Sequence, residues 1–128
     1  MRAVPVLATV LVMTAMTTAA VADDPRAQLV SIGKALYEQR CGHCHARAKG
    51  ETSFAPSMFG ILGRKAGSVE GFTYTPRISL LDLVWSEQTL WIWLQSTTFD
   101  TPLIAMRHVG VKQPAEADAL VAYIATLR

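Results

Sequence analysis

The chain has 128 residues, 51% of them hydrophobic, and its 12 basic and 10 acidic side chains leave a net charge of +2. That length sets one domain as the expectation and leaves enough chain to bury a core. The near balance of charge, with no basic run anywhere, argues against nucleic acid and against a partner drawn in by strong charge.

Met1 to Ala22 carries one charge at Arg2, then an uncharged run through Val4, Leu7, Val10, Leu11, Val12 and Met13, and ends Ala20-Val21-Ala22 before Asp23. This is the pattern of a secretory signal peptide with an A-x-A cleavage site, which leaves residues 23–128 as a single mature domain. An uncleaved membrane anchor is the alternative, because the run is nearly long enough to span a bilayer; Pro5 and the many Thr and Ala residues weaken it. The same segment inflates the mean hydropathy of +0.26. Without Arg2 the balance falls to 11 basic against 10 acidic side chains, so the mature chain is close to neutral.

Asp23, Asp24 and Pro25 lead into a helix whose apolar residues Leu29, Ile32, Leu36 and Tyr37 fall at helical spacing. Gly33 lies on that face, where a missing side chain allows another helix to come close at some cost in helix propensity. The helix delivers Cys41-Gly42-His43-Cys44-His45, a C-x-x-C-H motif. Two thiols one turn apart can each form a thioether to a haem vinyl group, and the following His is placed to reach the iron. A zinc site would need a second ligand pair, and the chain has no other cysteine. A thioredoxin-like pair would sit after a strand of a βαβ unit, which is not found nearby, and a plain disulfide would not call for His45. Export fits as well, since c-type haem is attached outside the cytoplasm in bacteria.

From Ala46 to Thr75 the chain is rich in Gly, Ser, Thr and Pro with no sustained period, which reads as long loops. Such a stretch is unusual in a compact domain unless something else fills the core, and a haem would fill it. Ser79 to Leu83 reads as a short helical segment before Trp85. Ser86 is a candidate N-cap for a helix to about Gln95, with Glu87 in its first turn and Leu90, Trp93 and Leu94 on its apolar face. Thr97 to Val111 reads as loop, and Pro114 opens a last helix with a stripe of Ala117, Leu120, Val121, Ile124 and Leu127.

An iron held by His45 alone is five-coordinate. Met58, Met106, His43 and His108 are the candidates for the opposite face. His43 is pinned between the cysteines, and Met58 is so near in sequence that its loop would have to pass round the haem edge. Met106, in a late loop, has the freedom to cover that face, although a lone Met is more often core than ligand.

The chain resembles the class I cytochromes c of the mitochondrial type and their periplasmic bacterial relatives. The resemblance rests on Gly33-Lys34-Ala35-Leu36-Tyr37, Cys41 to His45, Gly63-Arg64-Lys65-Ala66-Gly67, Gly71-Phe72-Thr73-Tyr74-Thr75, Trp85, Thr89-Leu90, Pro102, Met106, Gly110-Val111-Lys112 and Leu120-Val121-Ala122-Tyr123, in the family's order from about Gly33 to the end. It implies an all-α fold of three to five helices and long loops wrapped around one covalent haem c. It implies that Met106 sulfur is the second axial ligand, which raises the potential because a soft neutral donor favours ferrous iron. The Pro56 carbonyl is expected to accept the other ring N–H of His45. Arg64, Tyr74 and Trp85 match positions that hold or shield the haem propionates, where composition alone would suggest a surface charge and two core aromatics. Gly33 and Tyr123 match the crossing of first and last helices.

Departures from the family cluster on the Met106 side. Ile78, Trp93 and Ile104 stand where mitochondrial-type members carry Asn, Tyr and Thr around a buried water, and such a pocket offers that water too few partners. A drier pocket disfavours the extra positive charge of ferric haem and raises the potential. The lysine ring at the haem edge is also depleted: Thr98, Phe99 and Ala105 replace it, Arg40 and Lys112 remain, and His108 replaces an aromatic cover. This predicts a more apolar docking face with weak salt dependence. His108 is the rival iron ligand or a pH-sensitive edge residue.

The expected function is periplasmic single-electron transfer by one His/Met-ligated haem, docking redox proteins near Arg40, Phe99, Ala105, His108 and Lys112 and not itself an enzyme. A permanent electron-accepting subunit of a periplasmic dehydrogenase and a ligand-binding or sensor haem protein are the alternatives.

Overall fold

A computed structural model describes residues 24–51, 53–96, 106 and 111–128. Its described residues form four helices and no strands: α1 (Pro25–Arg40), α2 (Pro76–Ser79), α3 (Glu87–Ser96) and α4 (Pro114–Ile124). The expected all-α architecture and helix number hold.

Helix α1 begins where the Asp24 carboxylate accepts the Arg26 N–H at 3.0 Å, with Pro25 at the first helical position. Its buried line is Gly33 and Tyr37, flanked by the half-buried Leu29, Val30 and Leu36. Ile32, which its spacing assigns to the buried stripe, is 55% exposed. The reason is Gly33: a Cβ there would collide with the Ala119 carbonyl and lie 2.8 Å from the Tyr123 Cβ. The contact therefore centres on the glycine, and its neighbour Ile32 turns away.

Helix α4 is buried almost all round, at Ala117 and from Ala119 to Ile124, as expected of a central helix. Packing against both α1 and α3 covers the flanks that the sequence stripe omits, namely Ala119, Ala122 and Tyr123. Tyr37 and Tyr123 meet edge to face at 5.3 Å across the α1–α4 crossing.

The expected cap of α3 is present and reciprocal. Ser86 Oγ accepts from the Thr89 N–H at 3.1 Å, and Thr89 Oγ1 accepts from the Ser86 N–H at 2.8 Å. Leu90 and Leu94 are buried, and Trp91 Nε1 donates to Asp118 Oδ1 of α4 at 2.9 Å. Beyond α3, the Val111 N–H donates to the Leu94 carbonyl at 3.2 Å and Gln95 Nε2 donates to the Val111 carbonyl at 2.6 Å.

Helix α2 ends where the sequence reading begins it. Pro76, with its φ already helical, occupies the first turn, and the chain leaves the helix at Leu80. Residues 46–75 carry no helix among those described. They are tied by bonds such as Ala55 N–H to Cys44 carbonyl at 3.0 Å and Gly60 N–H to Leu127 carbonyl at 2.6 Å. Gly67, at φ +70°, turns the chain where a Cβ would sit 3.1 Å from the Ile78 carbonyl.

The crossing predicts that Gly33→Ala costs about 3 kcal/mol or more in urea unfolding, since backbone atoms must move. Ala35→Gly, on the exposed side of the same helix, costs only ~1 kcal/mol. Ser86→Ala removes one half of the α3 cap and costs ~1 kcal/mol in the same measurement.

Candidate haem site

Helix α1 runs into the attachment turn without a break. Cys41 and Gly42 N–H groups both donate to the Tyr37 carbonyl at 2.8 Å, and the Cys44 and His45 N–H groups donate to the Cys41 carbonyl at 3.0 and 2.9 Å. Both thiols are free, Cys41 buried and Cys44 exposed. Burial pushes the Cys41 thiol up to about 11, so it is protonated at neutral pH.

His45 is 6% exposed. Its Nδ1 donates to the Pro56 carbonyl at 2.7 Å, the bond the resemblance implies, and this leaves Nε2 with its lone pair. Burial lowers the His45 pKa, and the Pro56 bond offsets part of that effect.

A cavity of about 350 Å³ opens beside this turn. The structure brings all the sequence-predicted cofactor and iron residues to its wall: Cys41, Cys44, His45, Pro56, Arg64, Tyr74, Trp85, Trp93 and Met106. Ile78, Leu90 and Leu94 add apolar side chains to the same lining. Trp85 and Trp93 pack edge to face at 5.5 Å. Ile104, the remaining residue of the drier-pocket expectation, lies outside the described residues, as do Thr98, Phe99, Ala105 and His108.

The polar groups of the wall are mostly engaged. Arg64 donates from Nη1 to the Phe59 carbonyl at 3.0 Å and from Nη2 to the Ser57 carbonyl at 2.8 Å, and burial lowers its pKa. Tyr74 accepts the Val69 N–H at 3.3 Å, and burial raises its pKa. Arg40, read from sequence as a docking cation, forks onto the Glu116 carboxylate at 2.8 and 3.1 Å. Lys112 is exposed.

Sequence reasoning missed two residues. Thr75 lines the cavity, and its Oγ1 is buried without a hydrogen-bond partner among the described residues. Thr75 closes the stretch 71–75 on which the resemblance rests, which was the available signal, but no role follows from its type or spacing. Tyr37, read as one more apolar position of α1, also lines the cavity and donates its hydroxyl to the His45 carbonyl. A tyrosine on an otherwise apolar stripe was the available signal.

This site fits a haem. Its wall is largely apolar, and two free thiols and an imidazole whose Nε2 keeps its lone pair share it. The comparisons agree. The family model for cytochrome c matches residues 30–128. The chain is 32% identical to the cytochrome c of Euglena viridis over 96 residues, covering 75% of this chain and 94% of that one. It is 36% identical to the cytochrome c of Trypanosoma brucei brucei over 87 residues, covering 68% and 94%. For the cytochrome c of Gibberella zeae the identity is 33% over 93 residues, covering 72% and 88%. With a covalent-attachment motif, an apolar cavity beside it and a match across most of its length, the chain belongs to the cytochrome c family, electron-transfer proteins that carry one covalent haem c and act with redox partners.

Proposed function

We propose that this cytochrome is a periplasmic single-electron carrier in which Cys41 and Cys44 form the thioethers and His45 and Met106 ligate the iron. The observation that carries the reading is that a thioether and a buried neutral imidazole face one apolar cavity with both thiols. The haem, when bound, supplies the ferric–ferrous couple.

The protein's own residues set the conditions for that couple. Pro56 holds the His45 ring and raises its basicity as a ligand. Met106 adds a soft neutral donor, and the Ile78 and Trp93 wall disfavours extra positive charge, so both push the potential upward. Arg64, Tyr74 and Trp85 all line the cavity and are the residues assigned to hold or shield the propionates.

Docking centres on the edge around Arg40, Phe99, Ala105, His108 and Lys112. The Arg40 charge is offset by Glu116, which supports weak salt dependence of docking. Export rests on the A-x-A pattern before Asp23. No helix among the described residues is long and apolar enough to cross a membrane. A permanent place as a dehydrogenase subunit is the second reading, suggested by the lysine-poor haem edge. Co-migration with a larger enzyme on gel filtration of native extract would favour that second reading; elution at monomer size would favour a free carrier.

Absorption spectra test the ligation. The ferric protein is expected to show the weak far-red sulfur-to-iron band and the ferrous protein to ignore carbon monoxide. Met106→Ala is expected to lose the band and bind carbon monoxide at once. Immediate binding by the unaltered protein would replace the carrier reading with ligand chemistry. N-terminal sequencing of the exported protein is expected to begin at Asp23. A redox titration of Trp93→Tyr is expected to give a lower potential, because a hydroxyl is added to the apolar wall.

A further inference from the structure

Tyr37 is fully buried on the face of α1 that meets α4. Its hydroxyl donates to the His45 carbonyl at 2.8 Å and approaches the Ala46 carbonyl only at 3.5 Å, so the bond belongs to His45. No other donor reaches the His45 carbonyl among the described residues; the nearby ladder bond runs from the Ala55 N–H to the Cys44 carbonyl. His45 is itself buried. A buried carbonyl without a partner is costly enough that the local backbone would shift to find one.

The imidazole is thus held from two sides that come from different parts of the chain. The Pro56 carbonyl fixes the ring, and the Tyr37 hydroxyl fixes the backbone from which the ring projects. The Tyr37 ring is in turn seated edge-on against Tyr123 of α4. Burial first, and then the neighbouring Cys41 and Tyr123, raise the Tyr37 pKa, so the hydroxyl keeps its proton and its donor role through mildly alkaline pH.

We propose that Tyr37 is a positioning residue for the axial histidine: its hydroxyl transmits the α1–α4 crossing to the His45 backbone and so sets the orientation of the imidazole. The inference rests on His45 ligating the iron, as argued above. Removing the hydroxyl with Tyr37→Phe keeps the ring and its packing.

The test uses the haem-loaded protein, with Leu120→Val as a control. Leu120 is fully buried in α4 and is not part of the cavity wall. Three quantities are read: urea unfolding, reduction potential, and the proton NMR shifts of the haem methyl groups in the ferric state, whose pattern depends on the plane of the axial imidazole. Both variants are expected to lose roughly tenfold in the folding equilibrium constant. Only Tyr37→Phe is expected to redistribute the methyl shifts and move the potential. A wild-type methyl pattern and potential in Tyr37→Phe overturn the proposal, and so does the same redistribution in Leu120→Val, which would make the effect general loosening. Absence of the strongly shifted imidazole ring protons from the unaltered protein is a different failure: it removes the ligation reading, and this inference with it.

Discussion

The backbone of α1 meets that of α4 at Gly33, and the remaining structure depends on how close that contact is. Any side chain there would push the helices apart, so the missing Cβ sets the angle at which α1 leaves the crossing. The end of α1 in turn decides where Cys41 sits, and one further turn of chain carries Cys44 and His45 with it. The Arg40–Glu116 pair spans the C-terminal end of α1 and the N-terminal turn of α4, each charge placed to suit its helix dipole. With side chains 40% and 31% exposed, the pair adds little energy beside the packing.

The loops between α1 and α3 illustrate how irregular chain can be held without a ladder of its own. Ser57 and Arg64 bond to backbone carbonyls within the loop, and Met58, Ile61 and Ala66 turn inward. Arg40 and Arg64 of the cavity wall spend donors on the protein itself, while its apolar side chains face the cavity. A covalent cofactor therefore belongs to the core: it completes the apolar contacts of the loops around it.

The sequence was most legible where chemistry or punctuation is local. The C-x-x-C-H motif, the Ser86 cap and the first-turn Pro114 each act within a few residues, and each is found in its expected place. Features set by contact between distant segments were less visible. Ile32 has the right spacing but the wrong neighbour, since the position of Gly33 on α1 decides which face is covered. The start of α2 was set by Pro76 and not by the apolar run after it. Thr75 and the hydroxyl of Tyr37 matter only because other parts of the chain come to them, which no periodicity encodes. The resemblance to the cytochromes c supplied the cavity residues that spacing could not, and the structure gathers them on one wall.

The two bonds that join Val111 to Leu94 and Gln95 have a kinetic meaning. They tie the exit of the connection carrying Met106 to its entrance at the end of α3, so the chain between is a closed loop of fixed ends. Under the proposed ligation, the entropy of closing that loop is lost once, on folding, and not each time the Met106 sulfur meets the iron. An outside molecule seeking that position would then compete with a tethered donor that cannot diffuse away, so its success would depend on its concentration while that of the sulfur would not.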